Sequence, residues 1–302
     1  MPNLRWPFEA VRDRHGGATD WIVLHGPIVT PLHQAEFSEL RRRGARFVGM
    51  TSYFDFPRTD PRDGLDYEAV CEAWCHCFRE PHRYLRQAAP RALLSASDFT
   101  DWTWIERAAA SAGPVERYEI IYVGAVESWQ QDPKNWAQAA RCLPRLCRAL
   151  RVRAAVIGEP DPTFPPQTAI TFHRRLPWRS LLALMARADL LFVPNETDPS
   201  PRVIAEALCL NLPVLVNRTI LGGWKYVNRY TGAFFDDEGN VVDMAAALLA
   251  AGNSACDWFR ANFGPEVSGR RLTGLLQPLD LSIDRDAALR ITAAGPRGRR
   301  AV

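Results

Sequence analysis

Lysine is nearly absent from this 302-residue chain: of its 37 basic residues only Lys134 and Lys225 are not arginine. Against 34 acidic residues the net charge is +3. That is far from the basic excess of a protein that coats nucleic acid, so sequence-specific nucleic-acid binding is not expected. Long apolar runs are missing as well. None approaches the roughly 20 residues of a membrane-spanning helix. The opening Met-Pro-Asn-Leu-Arg-Trp-Pro holds no apolar secretory core, so a cytoplasmic protein is expected. The 7 cysteines are odd in number and scattered, which does not suit a disulfide framework. There is no P-loop, no full Gly-x-Gly-x-x-Gly fingerprint and no Gly-x-Ser-x-Gly elbow. What remains is 47% hydrophobic and 24% charged, with 23 Pro and 19 Gly. That is a folded globular chain, too long for one ordinary domain and short for two full ones.

One group of metal-capable residues stands apart: Cys71, Cys75, His76, Cys77 and His82. The pattern predicts a helix over Asp66–Arg79, with Cys71 and Cys75 one turn apart. Either that helix packs Ala69, Val70, Ala73, Trp74 and the cysteines into a core, or a histidine joins the cysteines on a metal. No second Cys-x-x-Cys knuckle is present, so no metal site is expected.

The rest of the chain alternates strands with helices. Strands are predicted at 20–25, 46–50 and 92–96, with a helix over 32–43. In the second half they are predicted at 118–123, 153–157, 169–172, 189–193, 213–216 and 233–235. Helices begin there near Pro133, Trp178 and Pro201, and another covers 241–251. The fold class is therefore α/β, with two Rossmann-like, doubly wound parallel-sheet domains. Small, turn-prone residues at 108–116 mark the boundary: 1–112 is a reduced first domain, 113–280 a second, and 281–302 a basic, flexible tail. Ligand sites are expected beyond the carboxyl ends of the strands.

Three such places carry chemistry. After Val123-Gly124, Asp132 is a plausible N-cap with Pro133 in the first turn, which sets Lys134 at a helix start. There it either reinforces an anion site or is simply solvated. After the strand at 189–193, Ser200 as N-cap and Pro201 start a second helix, with the N–H groups of Arg202 and Val203 facing the crevice. That helix is apolar nearly all round, so Glu206 is buried and needs a partner, either a ligand diol or an internal arginine. Asp198 lies in the loop above it. Third, Gly222 and Gly223 form a glycine turn after the strand at 213–216, suited to close backbone approach.

These residues resemble the retaining, nucleotide-sugar-dependent glycosyltransferases of the GT-B fold, the group 1 or family 4-like enzymes. The match runs over about 118–235. It comprises Val123-Gly124, Lys134, Ala188-Asp189 to Pro194, Asp198 and Glu206 with seven residues between them, Pro213-Val214, Gly222-Gly223 and Thr231-Gly232. The resemblance implies two domains facing a cleft, and a UDP- or GDP-linked sugar as donor substrate with no cofactor and no metal. It implies that Glu206 holds the donor ribose, Asp198 the sugar hydroxyls, and Lys134 the departing diphosphate. The backbone at Arg175–Leu176 would meet the base, and Gly124, Ser200, Pro201, Val203, Gly222 and Gly223 would complete the donor site. Ala125 stands where an arginine is common, and Arg202 is the candidate replacement.

In the first domain, 20–25, 47–53 and 93–97 resemble internal strands of the family, so its first strands and their glycine loop are absent. His25, Gly26, Ser52 and Ser97 are then the acceptor-side candidates. The acceptor would be a glycan, a lipid-linked sugar or a small molecule. The arginine-rich stretch 141–153 suggests a peripheral membrane or partner-protein contact, or else a solvated face. The alternative functions are a non-catalytic, transferase-like binding or scaffold subunit and a nucleotide-sugar epimerase.

Overall fold

The computed structural model describes residues 4–53, 56–57, 64–86, 89–124, 134–158, 168–174, 176–252 and 254–291. The chain divides into two compact units. One comprises Met1–Thr100 with Phe263–Gly295, the other Asp101–Asn262 with Pro296–Val302.

The first unit opens with β1 (Phe8–Arg12), β2 (Ala18–Leu24), α1 (Pro31–Arg42) and β3 (Arg46–Met50). It continues with α2 (Tyr67–Val70), β4 (Ala73–His76) and β5 (Arg91–Leu93). The strands lie in the sheet in chain order; β1 is antiparallel to β2 and the others are parallel. Alternation along the strands sorts the core onto two faces. Trp21 and Val23 join Val48, Met50, Ala73 and Cys75 on one face. Ile22 and Leu24 join Phe47, Trp74 and the Phe37 and Leu40 of α1 on the other.

The sequence reading missed β1 and misassigned 66–79. Asp66 does cap a helix, accepting from the N–H groups of Glu68 and Ala69, but the helix lasts one turn. Cys71 is already extended, and Ala73–His76 enters the sheet between β3 and β5. A short apolar run fits a buried strand as well as a helix, and only the sheet decides between them. Cys71 and Cys75 therefore share no helix face: Cys71 packs with Trp74 and Tyr67, and Cys75 lies on the opposite face. Burial pushes the Cys71 thiol well up. Among the described residues no three His, Cys, Asp or Glu side chains converge on a metal-sized site.

The second unit runs α3 (Trp102–Ala110), β6 (Ile120–Val123), α4 (Trp136–Leu150), β7 (Ala154–Ile157), β8 (Ile170–His173) and α5 (Trp178–Met185). It continues β9 (Leu190–Val193), α6 (Arg202–Cys209), β10 (Val214–Asn217), β11 (Gly232–Phe235), α7 (Val241–Ala250) and α8 (Ala255–Asn262). Its sheet is wholly parallel, in the order β11-β10-β9-β6-β7-β8. The chain winds outward from β6 through β8, then returns to β9 and winds the other way. The reversal point lies between β6 and β9, where parallel sheets open a crevice for ligands. In α4 the arginines are exposed while Leu143, Leu146 and both cysteines are buried, which is ordinary amphipathic patterning. Arg141 pairs with Glu238, and Arg153 with Glu116. The unit boundary precedes the small-residue stretch at 108–116, because Ala108 and Ala109 are buried in α3.

The chain then returns to the first unit as α9 (Pro265–Leu276) and the segment to Ile291. The flexible tail expected from 281 is corrected over 281–291. Ile283, Leu289 and Ile291 lie in the core with Trp21 and Val11, and Arg290 exchanges backbone hydrogen bonds of 2.7 and 2.8 Å with Arg12. The Trp21 indole donates to Asp280 at 3.0 Å. Alternation hid this segment, because its apolar residues are interrupted by Asp284, Arg285 and Asp286. Residues 292–302 lie outside the described residues. Among the latter, no helix is long and apolar enough to cross a membrane. Leu289→Ala is expected to cost about 2–4 kcal/mol by leaving a cavity in this core. An unchanged urea midpoint would show that the segment does not pack there.

Candidate functional site

The reversal point of the second sheet is where the sequence candidates meet. β6 ends at Val123-Gly124, and a Cβ on Gly124 would lie 2.6 Å from the Trp136 ring, so only glycine lets α4 close on the strand. The described start of α4 lies just after the expected cap. Asn135, with φ 50° and ψ 57°, caps it, and Trp136 is the first helical residue. Asp132 and Pro133 lie outside the described residues. Lys134 thus precedes the cap, its carbonyl accepting from the Tyr122 hydroxyl at 3.0 Å.

From there the Lys134 Nζ reaches Asp198 Oδ2 at 2.9 Å, bridging the loops that follow β6 and β9. The Asp198 carboxylate is held on both oxygens. Asn195 Nδ2 donates to Oδ2 at 3.0 Å and the Ser200 N–H donates to Oδ1 at 3.2 Å. Beneath this loop lies a cluster of amides. Asn135 Nδ2 donates to the Pro194 carbonyl at 3.0 Å and to Glu196 Oε1 at 2.9 Å, and Asn217 Nδ2 donates to Gln138 Oε1 at 2.8 Å. Asn195, Gln138 and Asn217 are all buried.

The glycine turn has a role that the sequence reading did not give it. Leu221 N–H donates to the Glu196 carbonyl at 2.6 Å and Gly222 N–H to the Asp198 carbonyl at 3.0 Å, zipping the turn to the β9 loop. A Cβ on Gly222 would lie 1.8 Å from the Pro199 carbonyl oxygen. Gly223 has φ +81°, and a Cβ there would meet Pro201. The close approach these glycines permit is thus to the neighbouring loop.

α6 starts one residue later than expected. Pro201, with ψ 89°, is the cap in place of Ser200, and Arg202 is the first helical residue. A proline φ suits either position, so sequence alone does not choose between them. Arg202 is exposed and Val203 half-buried. Glu206 is buried as expected, 4% exposed. Among its partners is the Trp178 indole, whose N–H donates to Oε1 at 3.2 Å. Leu176, half-buried, lies two residues before that tryptophan, and Arg175 falls outside the described residues.

In the first unit, three neighbouring strands bring their side chains together. His25 Nδ1 lies 2.9 Å from the Ser52 hydroxyl, and His25 Nε2 lies 2.7 Å from Glu9 Oε2. Gly26 lies against Trp6, where a Cβ would be 2.8 Å from the indole. Ser97 is fully buried in the turn Ala96–Phe99, where its carbonyl accepts from Thr100. Glu9, Asn195, Asn135 and Trp178 were missed by sequence reasoning. Only Asn195, three residues before Asp198, had a local signal. The others reach their partners across 16, 61 and 28 residues.

Residues 117–253 match the family model described as Glycosyl transferases group 1. No curated protein sequence matches the chain. Solved structures share its fold. Sucrose-phosphate synthase from Thermosynechococcus elongatus aligns with TM-score 0.57 and 13% identity, over 86% of this chain and 74% of that one. Alr3699/HepE from Anabaena, in complex with UDP-glucose, aligns with TM-score 0.56 and 14% identity, over 82% and 76%. A UDP-N-acetylglucosamine 2-epimerase from Listeria monocytogenes aligns with TM-score 0.55 and 12% identity, over 88% and 76%. The chain therefore has the GT-B fold, and its residues 117–253 are similar to the group 1 glycosyltransferases.

Proposed function

We propose that the protein transfers a sugar from a UDP- or GDP-linked donor to a hydroxyl acceptor, with retention of anomeric configuration. The observation that carries this is the Lys134–Asp198 contact of 2.9 Å at the reversal point of the second sheet. An ammonium beside a carboxylate there offers one group to a diphosphate and the other to sugar hydroxyls. Without a ligand the two satisfy each other. An arriving diphosphate competes for Lys134 and releases Asp198 Oδ2 from the ammonium, while Asn195 and the Ser200 N–H keep the carboxylate in place.

The other donor roles follow the same geometry. Glu206 accepts from the ribose, the N–H groups of Arg202 and Val203 at the start of α6 meet the phosphates, and the Arg202 guanidinium adds charge beside them. Gly124, Pro201 and the Gly222–Gly223 turn shape the donor side, with Arg175 and Leu176 toward the base. In the chemical step the bond from anomeric carbon to phosphate oxygen breaks while the acceptor oxygen bonds on the same face. The acceptor proton passes to the departing phosphate, whose charge Lys134 and the helix start stabilise. No protein nucleophile or metal enters this step. In the first unit, Glu9, His25 and Ser52, together with Gly26 and Ser97, are assigned to the acceptor. That acceptor is a glycan, a lipid-linked sugar or a small molecule.

Incubation with UDP- and GDP-sugars is expected to release free nucleoside diphosphate slowly. An epimerised sugar nucleotide would point instead to an epimerase, and no thermal stabilisation by any nucleoside diphosphate to a scaffold subunit. Lys134→Ala is expected to lower turnover by about 10²–10³-fold in a protein that stays folded. Near-normal turnover would remove Lys134 from the mechanism. Asp198→Asn is expected to lower donor turnover while sparing affinity for free UDP or GDP, since its charge faces the sugar. Equal loss of both, measured by calorimetry beside kinetics, would contradict that role.

A further inference from the structure

The end of the first unit's sheet carries two clusters one residue apart. His25 and Ser52 make the polar one together with Glu9. The residues that follow them, Gly26 and Tyr53, belong to an aromatic one centred on Trp6. A Cβ on Gly26 would lie 2.8 Å from the Trp6 ring, so only glycine lets the indole lie against the backbone there. The rings of Tyr53 and His33 brace it, with centroids 5.5 and 6.0 Å away and planes tilted by 61° and 72°. These are edge-to-face contacts, and a tryptophan turns about only two side-chain bonds, so the indole is held in one orientation.

Yet Trp6 stays 48% exposed, and Val29, Leu32 and Tyr53 in the same stretches are exposed as well. A single exposed apolar residue is ordinary, but a braced indole within a group of them marks a binding surface. Its flanks decide what it binds. Glu9, His25 and Ser52 supply hydrogen-bonding groups suited to hydroxyls. Among the described residues the charges beside the patch are Arg5, Glu9 and Glu36, without the basic excess that holds a protein on an anionic bilayer. A pyranose matches both halves, with C–H groups on the flat of its ring and hydroxyls around the rim.

We propose that Trp6 is a stacking platform for a pyranose, so that the acceptor is a carbohydrate whose C–H face lies on the indole and whose hydroxyls reach Glu9, His25 and Ser52. Its standing as acceptor rests on the transferase reading given above, whereas the binding itself does not. Trp6 governs which acceptors are taken and performs no chemistry.

The test is titration of the unmodified protein, W6F and W6A with cellotriose and chitotriose, followed by nuclear magnetic resonance. The β-linked rings of both trisaccharides present flat C–H faces. The Trp6 indole N–H, assigned as the resonance missing from W6F, is expected to shift, and sugar ring protons are expected to move upfield in the indole's ring current. W6A is expected to weaken binding by about tenfold and W6F by less, because a smaller ring still stacks. If neither trisaccharide shifts the Trp6 resonance, or W6A binds as well as the unmodified protein, the proposal is overturned. Should W6A not fold, W6F decides: the upfield movement of the sugar protons shrinks if this ring is the platform, and an unchanged movement overturns the proposal. Flotation with vesicles of phosphatidylcholine and phosphatidylglycerol tests the other occupant. Capture that W6F weakens, with no shift by either sugar, assigns the patch to a membrane instead. Sugar binding at Trp6 in a protein that releases no nucleoside diphosphate from UDP- or GDP-sugars leaves the platform standing and removes the transferase reading. Donor hydrolysis without sugar binding at Trp6 does the reverse.

Discussion

The candidate site depends on one close approach, the Gly222 Cα against the Pro199 carbonyl. No other residue type fits, because a Cβ would sit 1.8 Å from that oxygen. With the two hydrogen bonds from Leu221 and Gly222, it joins the loop after β9 to the turn after β10. The β9 loop carries Asn195, Glu196 and Asp198, and it leads through Pro201 into α6 and Glu206. Fixing its outer edge therefore fixes both acids at once. Its inner edge is held by the amides of Asn135 and Asn217, which would be costly to bury without partners. The loop is set from two sides before any ligand arrives, which is the preorganisation a transfer site needs.

The two acids are handled in opposite ways. Asp198 sits at the crevice with a cation and two further donors, so its charge is balanced and its orientation fixed. Glu206 sits inside an apolar helix with an indole for a donor. Seven residues lie between them in sequence, yet one lies at the loop and the other in the second turn of α6. On the proposed reading, that offset lets one segment serve two parts of an elongated ligand. The start of α6 lies between them, so the segment Asp198–Glu206 carries a carboxylate at each end and, on the proposed reading, a phosphate-binding helix start between them.

Legibility in the sequence followed locality. The strands of the second unit were readable to within two residues because each is a short run bounded by polar or turn residues, fully buried in the four central strands and partly buried in the edge strands β8 and β11. The positions of Lys134 and Asp198 beyond strand ends and the burial of Glu206 were readable because those relations are local in sequence. The helix start at Pro201 was displaced by one residue, since a proline suits the cap as well as the first helical position. Cys71–His76 was read as helix because a central strand and a buried helix share the same composition. The edge strand Phe8–Arg12 and the return of 263–291 to the first unit were not readable at all. Both depend on pairing with residues far away in the chain, Arg12 with Arg290 among them. Trp178 was invisible as a partner of Glu206 for the same reason.

The scarcity of lysine takes on a physical meaning at position 134. An arginine there would engage Asp198 through two parallel hydrogen bonds, a geometry that pre-empts both carboxylate oxygens and resists exchange. It would also compete with the Ser200 N–H for Oδ1. An ammonium is a point charge on a flexible stem, and its three donors can be shared between a carboxylate and a phosphate. The Lys134–Asp198 pair is only partly buried, with side chains 22% and 14% exposed, so breaking it lets solvent or a ligand take over each partner. A pair that opens for a diphosphate, as proposed for this one, is better built from lysine than from arginine. In a chain that otherwise uses arginine almost throughout, that proposed role accounts for the lysine at this position.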